Sequence, residues 1–277
     1  MIDRSTVGQK SVKLIIMSEN KEIVNFVKET GGQLVGNLYT DLFQPSIKTI
    51  GKTLGSVVEF VTLFQVPIQY INEKVKLNFS KRLKEYSEKL EDIPDEKKCE
   101  VNPQIGVPIM ERLGYTTNDE IADLFTNLLT KASSVDTVNL AHPSFVQLIE
   151  RLSVDEARII KYLVGKEYIL CISIRIINDD GNFIEPVRNK TLISKSISLD
   201  FPENEGVYLD NLVSMGILDI SHGNYKSDET LYQPLLEKYS VQNAVIGFDF
   251  KKIEYPKSFY QITDFGKAFI KACNNTQ

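Results

Sequence analysis

Near residue 165 the apolar residues of this 277-residue chain change period. Before that point they recur at three- and four-residue spacing, the period of helices buried along one face. After it come β-branched runs and alternation, the period of strands. The chain is therefore read as a mainly α N-terminal region with long amphipathic helices, followed by an α+β C-terminal region. The expected divisions are a dispensable leader or extension over 1–17, an amphipathic helical region over 18–93, an acidic linker over 94–102, a helical core over 103–152 and an α+β domain over 153–277. With 42% hydrophobic residues the chain can bury a sizeable core in one or two domains.

In the first region Ser18 is placed to cap a helix carrying Ile23, Phe26 and Val27, which ends near Gly31 and Gly32. After Pro45 an apolar stripe runs through Ile47, Ile50, Leu54, Val57, Val61 and Phe64, and the pairs Gly32/Gly36 and Gly51/Gly55 permit close helix approach. Crossing a bilayer is disfavoured, because Lys48, Lys52 and Glu59 would together cost about 9 kcal/mol against about 5 kcal/mol returned by the apolar side chains. Peripheral contact with a membrane surface is a weaker demand that the stripe can meet. Gly51-Lys52-Thr53 imitates the end of a phosphate-binding loop, but Ser46 stands where its first glycine belongs and no strand precedes it.

From Ile68 to Ile93 the pattern sharpens into one long amphipathic helix with coiled-coil character, through Ile71, Val75, Phe79, Leu83, Tyr86 and Leu90. Beside its apolar stripe lie Lys74, Lys76, Lys81, Arg82 and Lys84. These five form the candidate interaction surface, for anionic lipid or phosphate, although Glu73, Glu85 and Glu88 interrupt the basic run and favour a solvated face; a protein partner or self-association is expected for the chain as a whole.

The middle block is the most specific stretch. Thr117 with Glu120, and Ser153 with Glu156, have the spacing of capping boxes, so each pair predicts a helix start. Ile121, Leu124, Phe125, Leu128 and Leu129 then supply one buried face. His142-Pro143 opens another helix: Pro143 suits its first position, and His142 reads as a cap rather than a base. The order of Glu120-Ile-Ala-Asp-Leu-Phe-Thr-Asn-Leu-Leu-Thr-Lys-Ala, His142-Pro-Ser-Phe-Val-Gln-Leu-Ile and Leu152-Ser-Val-Asp-Glu-Ala-Arg-Ile-Ile resembles the Abi-alpha family of bacterial proteins associated with abortive infection against phage. That resemblance implies a role in phage defence and supplies no catalytic residue.

The last region pairs a β-branched run, Tyr168–Ile177, with a returning strand inside 182–199, joined by a turn at Asn178-Asp179-Asp180-Gly181. A helix over 206–216 ends at a glycine, a strand is expected over 245–255, and Tyr260–Ile270 reads as a strand running into a helix. The arrangement resembles a winged-helix module. Its helix over 206–216 offers Asp210 and Asn211 but no cation, which is poor equipment for reading bases.

A net charge of -5 argues against general nucleic-acid affinity. Cys99, Cys171 and Cys273 lack metal-ligand spacing and fit a reducing cytoplasm. Two histidines and no glycine-framed serine leave neither a triad nor a metal cluster in view, so no catalytic residue, cofactor or small-molecule substrate is expected. The sequence thus describes a non-enzymatic anti-phage protein of the cytoplasm, peripheral to the inner membrane where its helices meet lipid. The alternatives are a DNA-binding regulator using the C-terminal module, or a nuclease or other hydrolase.

Overall fold

A computed structural model describes residues 73–221, 223–239 and 252–274. The leader, the Ser18 helix, the 47–68 stripe with its glycine pairs, residues 68–72 of the long helix and residues 245–251 of the expected strand lie outside the described residues. The chain divides into two compact units, 1–149 and 150–277.

In the first unit, helix α1 (Glu73–Glu91) packs against α2 (Pro103–Tyr115) and α3 (Asp119–Ala132), and α4 (Pro143–Glu150) closes the segment. The apolar positions read from the sequence are those that are buried: Leu83, Tyr86 and Leu90 on α1, then Leu124, Phe125, Leu128 and Leu129 on α3. The polar face of α1 is also used internally. Asn78 Nδ2 donates to the Leu113 and Thr116 carbonyls at 3.3 and 2.6 Å, satisfying orphan acceptors at the end of α2. Tyr86 Oη meets Ser133 Oγ at 2.6 Å, and Lys89 Nζ donates to Thr126 Oγ1 and Asn127 Oδ1 at 2.9 and 2.7 Å.

Two expectations change here. The start of α3 is capped by Asn118, whose side chain accepts from the Ile121 N–H at 3.2 Å, and not by Thr117. Asparagine is at least as good an N-cap as threonine, so the helix begins one residue later and Glu120 falls in its first turn instead of closing a box. The acidic stretch expected as a linker lies inside the first unit. It forms a 3-10 turn over Asp95–Lys97, after which Cys99 N–H donates to the Ser133 carbonyl at 2.9 Å and Lys97 O accepts from Val135 N–H at 2.9 Å.

The second unit is built on β1 (Tyr168–Ile177). It is flanked on one side by β2 (Phe183–Lys190), and on the other by β4 (Lys252–Glu254) and β5 (Lys257–Ile262), all antiparallel. β3 (Leu218–Ile220) pairs with β5, so the main path runs β2-β1-β5-β3. Seven isoleucine, leucine and cysteine side chains make β1 the central strand, buried over most of its length. Pro186 confines β2 to the edge. The Asn178–Gly181 turn is present, with Gly181 at φ 78° and its N–H donating to the Asn178 carbonyl at 3.2 Å. Helices α5 (Val154–Tyr162), α6 (Ile193–Ser196), α7 (Glu205–Ser214), α8 (Gln233–Lys238) and α9 (Asp264–Cys273) complete the unit.

The expected glycine stop of α7 is a Schellman turn: Gly216 sits at φ 74°, its N–H donates to Val213 O at 2.9 Å, and Ile217 N–H reaches back to Leu212 O at 3.0 Å. This turn is clasped by the start of α9. Thr263 Oγ1 donates to Gly216 O at 2.6 Å and accepts from Gly266 N–H at 2.8 Å, while Thr263 N–H donates to Ile217 O at 3.1 Å. A Cβ on Gly266 would stand 2.2 Å from the Ile217 carbonyl oxygen, a contact only backbone movement can relieve.

Gly266→Ala should therefore cost about 1–3 kcal/mol of unfolding free energy. Gly206→Ala, where a Cβ meets nothing within 4 Å, should be neutral or stabilising by up to about 1 kcal/mol. Urea denaturation of the two variants checks the contrast.

Burial pushes the Cys171 thiol up to about 12 against a weaker opposing hydrogen bond from Ser258, and it raises Tyr208, Tyr232, Tyr260 and, to about 12, Tyr239. A group whose folded pKa is raised adds stability below its ordinary value, near 9 for Cys171 and 10 for the tyrosines, and that stability is lost as pH rises. The melting temperature of the second unit should accordingly fall from about pH 9 upward, together with a late, cooperative rise in tyrosinate absorbance. A melting temperature flat to pH 12 would contradict this assignment.

Candidate functional site

The basic residues singled out on α1 do not form one face. Arg82 is only 1% exposed: its guanidinium donates to Glu85 at 3.2 and 2.9 Å and pairs with Asp119 at the start of α3. It belongs to the interior of the first unit and offers no surface contact. The reason is its position four residues after Asn78, on the side of α1 that meets α2 and α3. Lys81 is half-exposed and shared between Asp119 at 2.9 Å and Glu85 at 3.8 Å, and Lys84 is exposed beside Glu88 at 3.8 Å. Those two lysines are solvated ion-pair partners, and their carboxylates reduce any field they present. Lys74 and Lys76 lie in the first turn of α1.

His142 has the capping geometry expected of it. Its Nδ1 accepts from the Ser144 N–H at 3.2 Å and meets Ser144 Oγ at 2.6 Å, while its ring packs 5.7 Å from Phe145, just ahead of Pro143 at the first position of α4. The Ser153/Glu156 box at the start of α5 is complete: Glu156 N–H donates to Ser153 Oγ at 3.3 Å, and Ser153 N–H donates to Glu156 Oε2 at 2.6 Å.

That box continues into a feature the sequence did not disclose. The other oxygen of Glu156 accepts from Asn211 Nδ2 at 2.7 Å, tying α5 to α7. Its neighbour Asp155, 2% exposed, accepts four hydrogen bonds: Asp200 N–H at 2.8 Å and Arg158 at 3.0 Å on one oxygen, Phe201 N–H and Tyr208 Oη at 2.9 Å each on the other. Burial works to raise the Asp155 pKa, yet the two backbone donors, Tyr208 and Arg158 outweigh it and hold the carboxyl below the ordinary carboxylate value. Glu205, 3% exposed, accepts from Thr191 Oγ1 at 2.7 Å and from Ser194 N–H at 2.9 Å. Three buried carboxylates thus grip α7 and the segment leading into it, each with both oxygens accepting hydrogen bonds. The only sequence signal was Asp155-Glu156 inside the box, which reads equally as the acidic first turn of any helix.

The shoulder they hold is Asp200–Asp210. Phe201 and Val207 project into solvent at 58% and 65% exposure, among exposed Glu203 and Asp210. A separate cleft of about 390 Å³ lies between the start of β1 and α8, lined by Tyr162, Tyr168, Leu170, Leu192, Leu231 and Leu235, and its charged liners are Lys166 and Glu167. Beside it Lys226 is held over the rings of Tyr168 and Phe259, at 4.2 and 4.1 Å from their centroids. Among the described residues no group of three or more His, Cys, Asp or Glu side chains is placed to hold a metal, and no helix is long and apolar enough to cross a membrane.

Asp155→Ala should cost about 3 kcal/mol, because it strands two backbone donors, a hydroxyl and a guanidinium, whereas Tyr208→Phe should cost about 1 kcal/mol. The Asp155 contribution should be present at neutral pH and vanish as pH falls below its ordinary value of 3.8 toward the lower folded one. Chemical denaturation of both variants at neutral and acid pH checks magnitude and sign; equal costs at both would refute the assignment.

Among curated proteins none matches this chain. One solved structure, an uncharacterized protein from the hydrocarbon-degrading marine bacterium Alcanivorax borkumensis SK2, aligns with 50% of this chain and 97% of its own at 14% identity, with a TM-score of 0.28, too slight a likeness to bear on the fold. The family model for abortive infection alpha matches residues 72–273, through the α1–α3 helices, the His142-Pro143 corner, the Ser153/Glu156 box and the whole described second unit, and the chain belongs to that family.

Proposed function

We propose that this protein is a non-enzymatic abortive-infection factor that works in the bacterial cytoplasm through protein contacts, with its second unit serving as a winged-helix-like contact module. Family membership over residues 72–273 carries the defence role. The module reading draws on connectivity: α5 precedes β1, α7 passes through a glycine turn into β3, and β5 lies between β1 and β3 before running into α9. In a winged-helix module α7 takes the place of the helix that enters the major groove. Here that helix carries no Lys or Arg and exposes Val207, Asp210 and Ser214, a face that repels phosphates and suits a protein.

Expression of the chain in a susceptible host should reduce plaque number or burst size for at least one phage in a broad panel, with infected cells dying before phage release. Unchanged plaques and unchanged host survival across the panel would overturn the defence role. Duplex DNA should not be retarded by the protein at low salt; retardation that weakens steeply as salt rises would favour the DNA-binding regulator instead. Liposome flotation separately tests membrane contact, which requires protein to rise with anionic vesicles.

A further inference from the structure

Val207 and Phe201 are the two most exposed large hydrophobic side chains among the described residues. They flank one short stretch, where a 3-10 turn over Pro202–Asn204 enters α7. Single exposed apolar residues are ordinary on a protein surface. What sets this pair apart is the support beneath it. Asp155 holds the backbone N–H groups of Asp200 and Phe201 and the hydroxyl of Tyr208; Glu205 is anchored to Thr191 and Ser194; Glu156 holds Asn211. Burying three carboxylates is costly, and here the cost is offset by backbone and side-chain donors that apolar packing would leave unpaired. The arrangement delivers a fixed backbone under two solvent-facing apolar side chains, and such preorganisation reduces the ordering cost of binding.

Charge narrows the partner. Glu203 and Asp210 are exposed and make no ion pair with a described residue, Asp200 is exposed and shares Arg158 with Asp155, and α7 itself has no cation. The shoulder thus combines two exposed apolar side chains with exposed carboxylates on the same short segment, and the complementary chemistry is an apolar anchor flanked by cations. We infer that the Asp200–Asp210 shoulder is a docking surface for a protein segment that carries an apolar anchor flanked by Lys or Arg. This rests on the protein-contact reading of the second unit and names the partner chemistry for it.

The test uses the full chain and two labelled synthetic peptides with the same Leu and Phe anchors, one flanked by Lys and Arg and the other by Glu. Fluorescence anisotropy should show the basic peptide binding at least about tenfold tighter, with the advantage shrinking as salt rises. Phe201→Ser combined with Val207→Ser should weaken it by about tenfold or more without lowering the melting temperature, since both side chains are exposed. Glu203→Lys combined with Asp210→Lys should reverse the peptide preference. Equal binding of the two peptides, binding indifferent to these substitutions, or displacement of the basic peptide by duplex DNA would overturn the inference. A phage assay separates this from the defence role: if the wild-type chain protects and the double serine variant protects equally, the shoulder is wrong. If the wild-type chain does not protect, the defence role fails and the peptides alone judge the shoulder.

Discussion

The second unit depends on one close approach between two backbones, the Gly216–Ile217 turn and the first turn of α9. The Ile217 carbonyl accepts from Thr263 N–H at 3.1 Å and lies where a side chain on Gly266 would have to be. Because Gly216 also ends α7 and Ile217 leads into β3, that contact sets three things at once: where α7 stops, how β3 reaches the edge of β5, and how α9 leaves the sheet. The burial of Leu212, Ile217, Ile262 and Phe269 follows from it. A glycine at 266 is thus a steric requirement of the packing and has little to do with backbone flexibility.

Around that joint the unit buries carboxylates that satisfy backbone donors of the chain leading into α7. Asp155, Glu156 and Glu205 lie in the interior with every carboxylate oxygen engaged by backbone or side-chain donors. Such networks tolerate only one arrangement, because a half-satisfied buried carboxylate is worse than none. The consequence is specificity of position for α7 and for the turn ahead of it, the part of the unit that shows Phe201 and Val207 to solvent. The first unit uses the same device on a different element. Asn78, Arg82, Tyr86 and Lys89 recur at four, four and three residues along α1 and tie it to α2 and α3 through hydrogen bonds and ion pairs.

Family kinship was legible from the residues of the middle block because caps and corners are local. Ser153 and Glu156 are three residues apart, His142 and Ser144 two, and each pair completes its hydrogen bonds without help from elsewhere in the chain. Even there the adjacent and stronger cap Asn118 moved the start of α3 by one residue from Thr117, where the spacing to Glu120 had pointed. The shoulder was not legible, because nothing in Phe201 or Val207 marks them as exposed. Their apolar character predicts burial, and only the contacts of Asp155 and Tyr208 show which way that turn faces.

Periodicity and local capping, read from the sequence by itself, determined the helices over 103–150, the strand pair about Asn178–Gly181, the glycine end of α7 and the strand-to-helix close at Thr263. Those features depend on residues within one or two turns of one another. Tertiary structure alone decided the fate of the charges. Arg82 reads as one more surface cation beside Lys81 and Lys84, yet it is buried against Asp119, 37 residues away, while Asp155 finds three of its four partners 45 to 53 residues downstream. A charged side chain is stable in either place, solvated by water or by fixed donors, and sequence spacing does not record which of the two solvents it will meet.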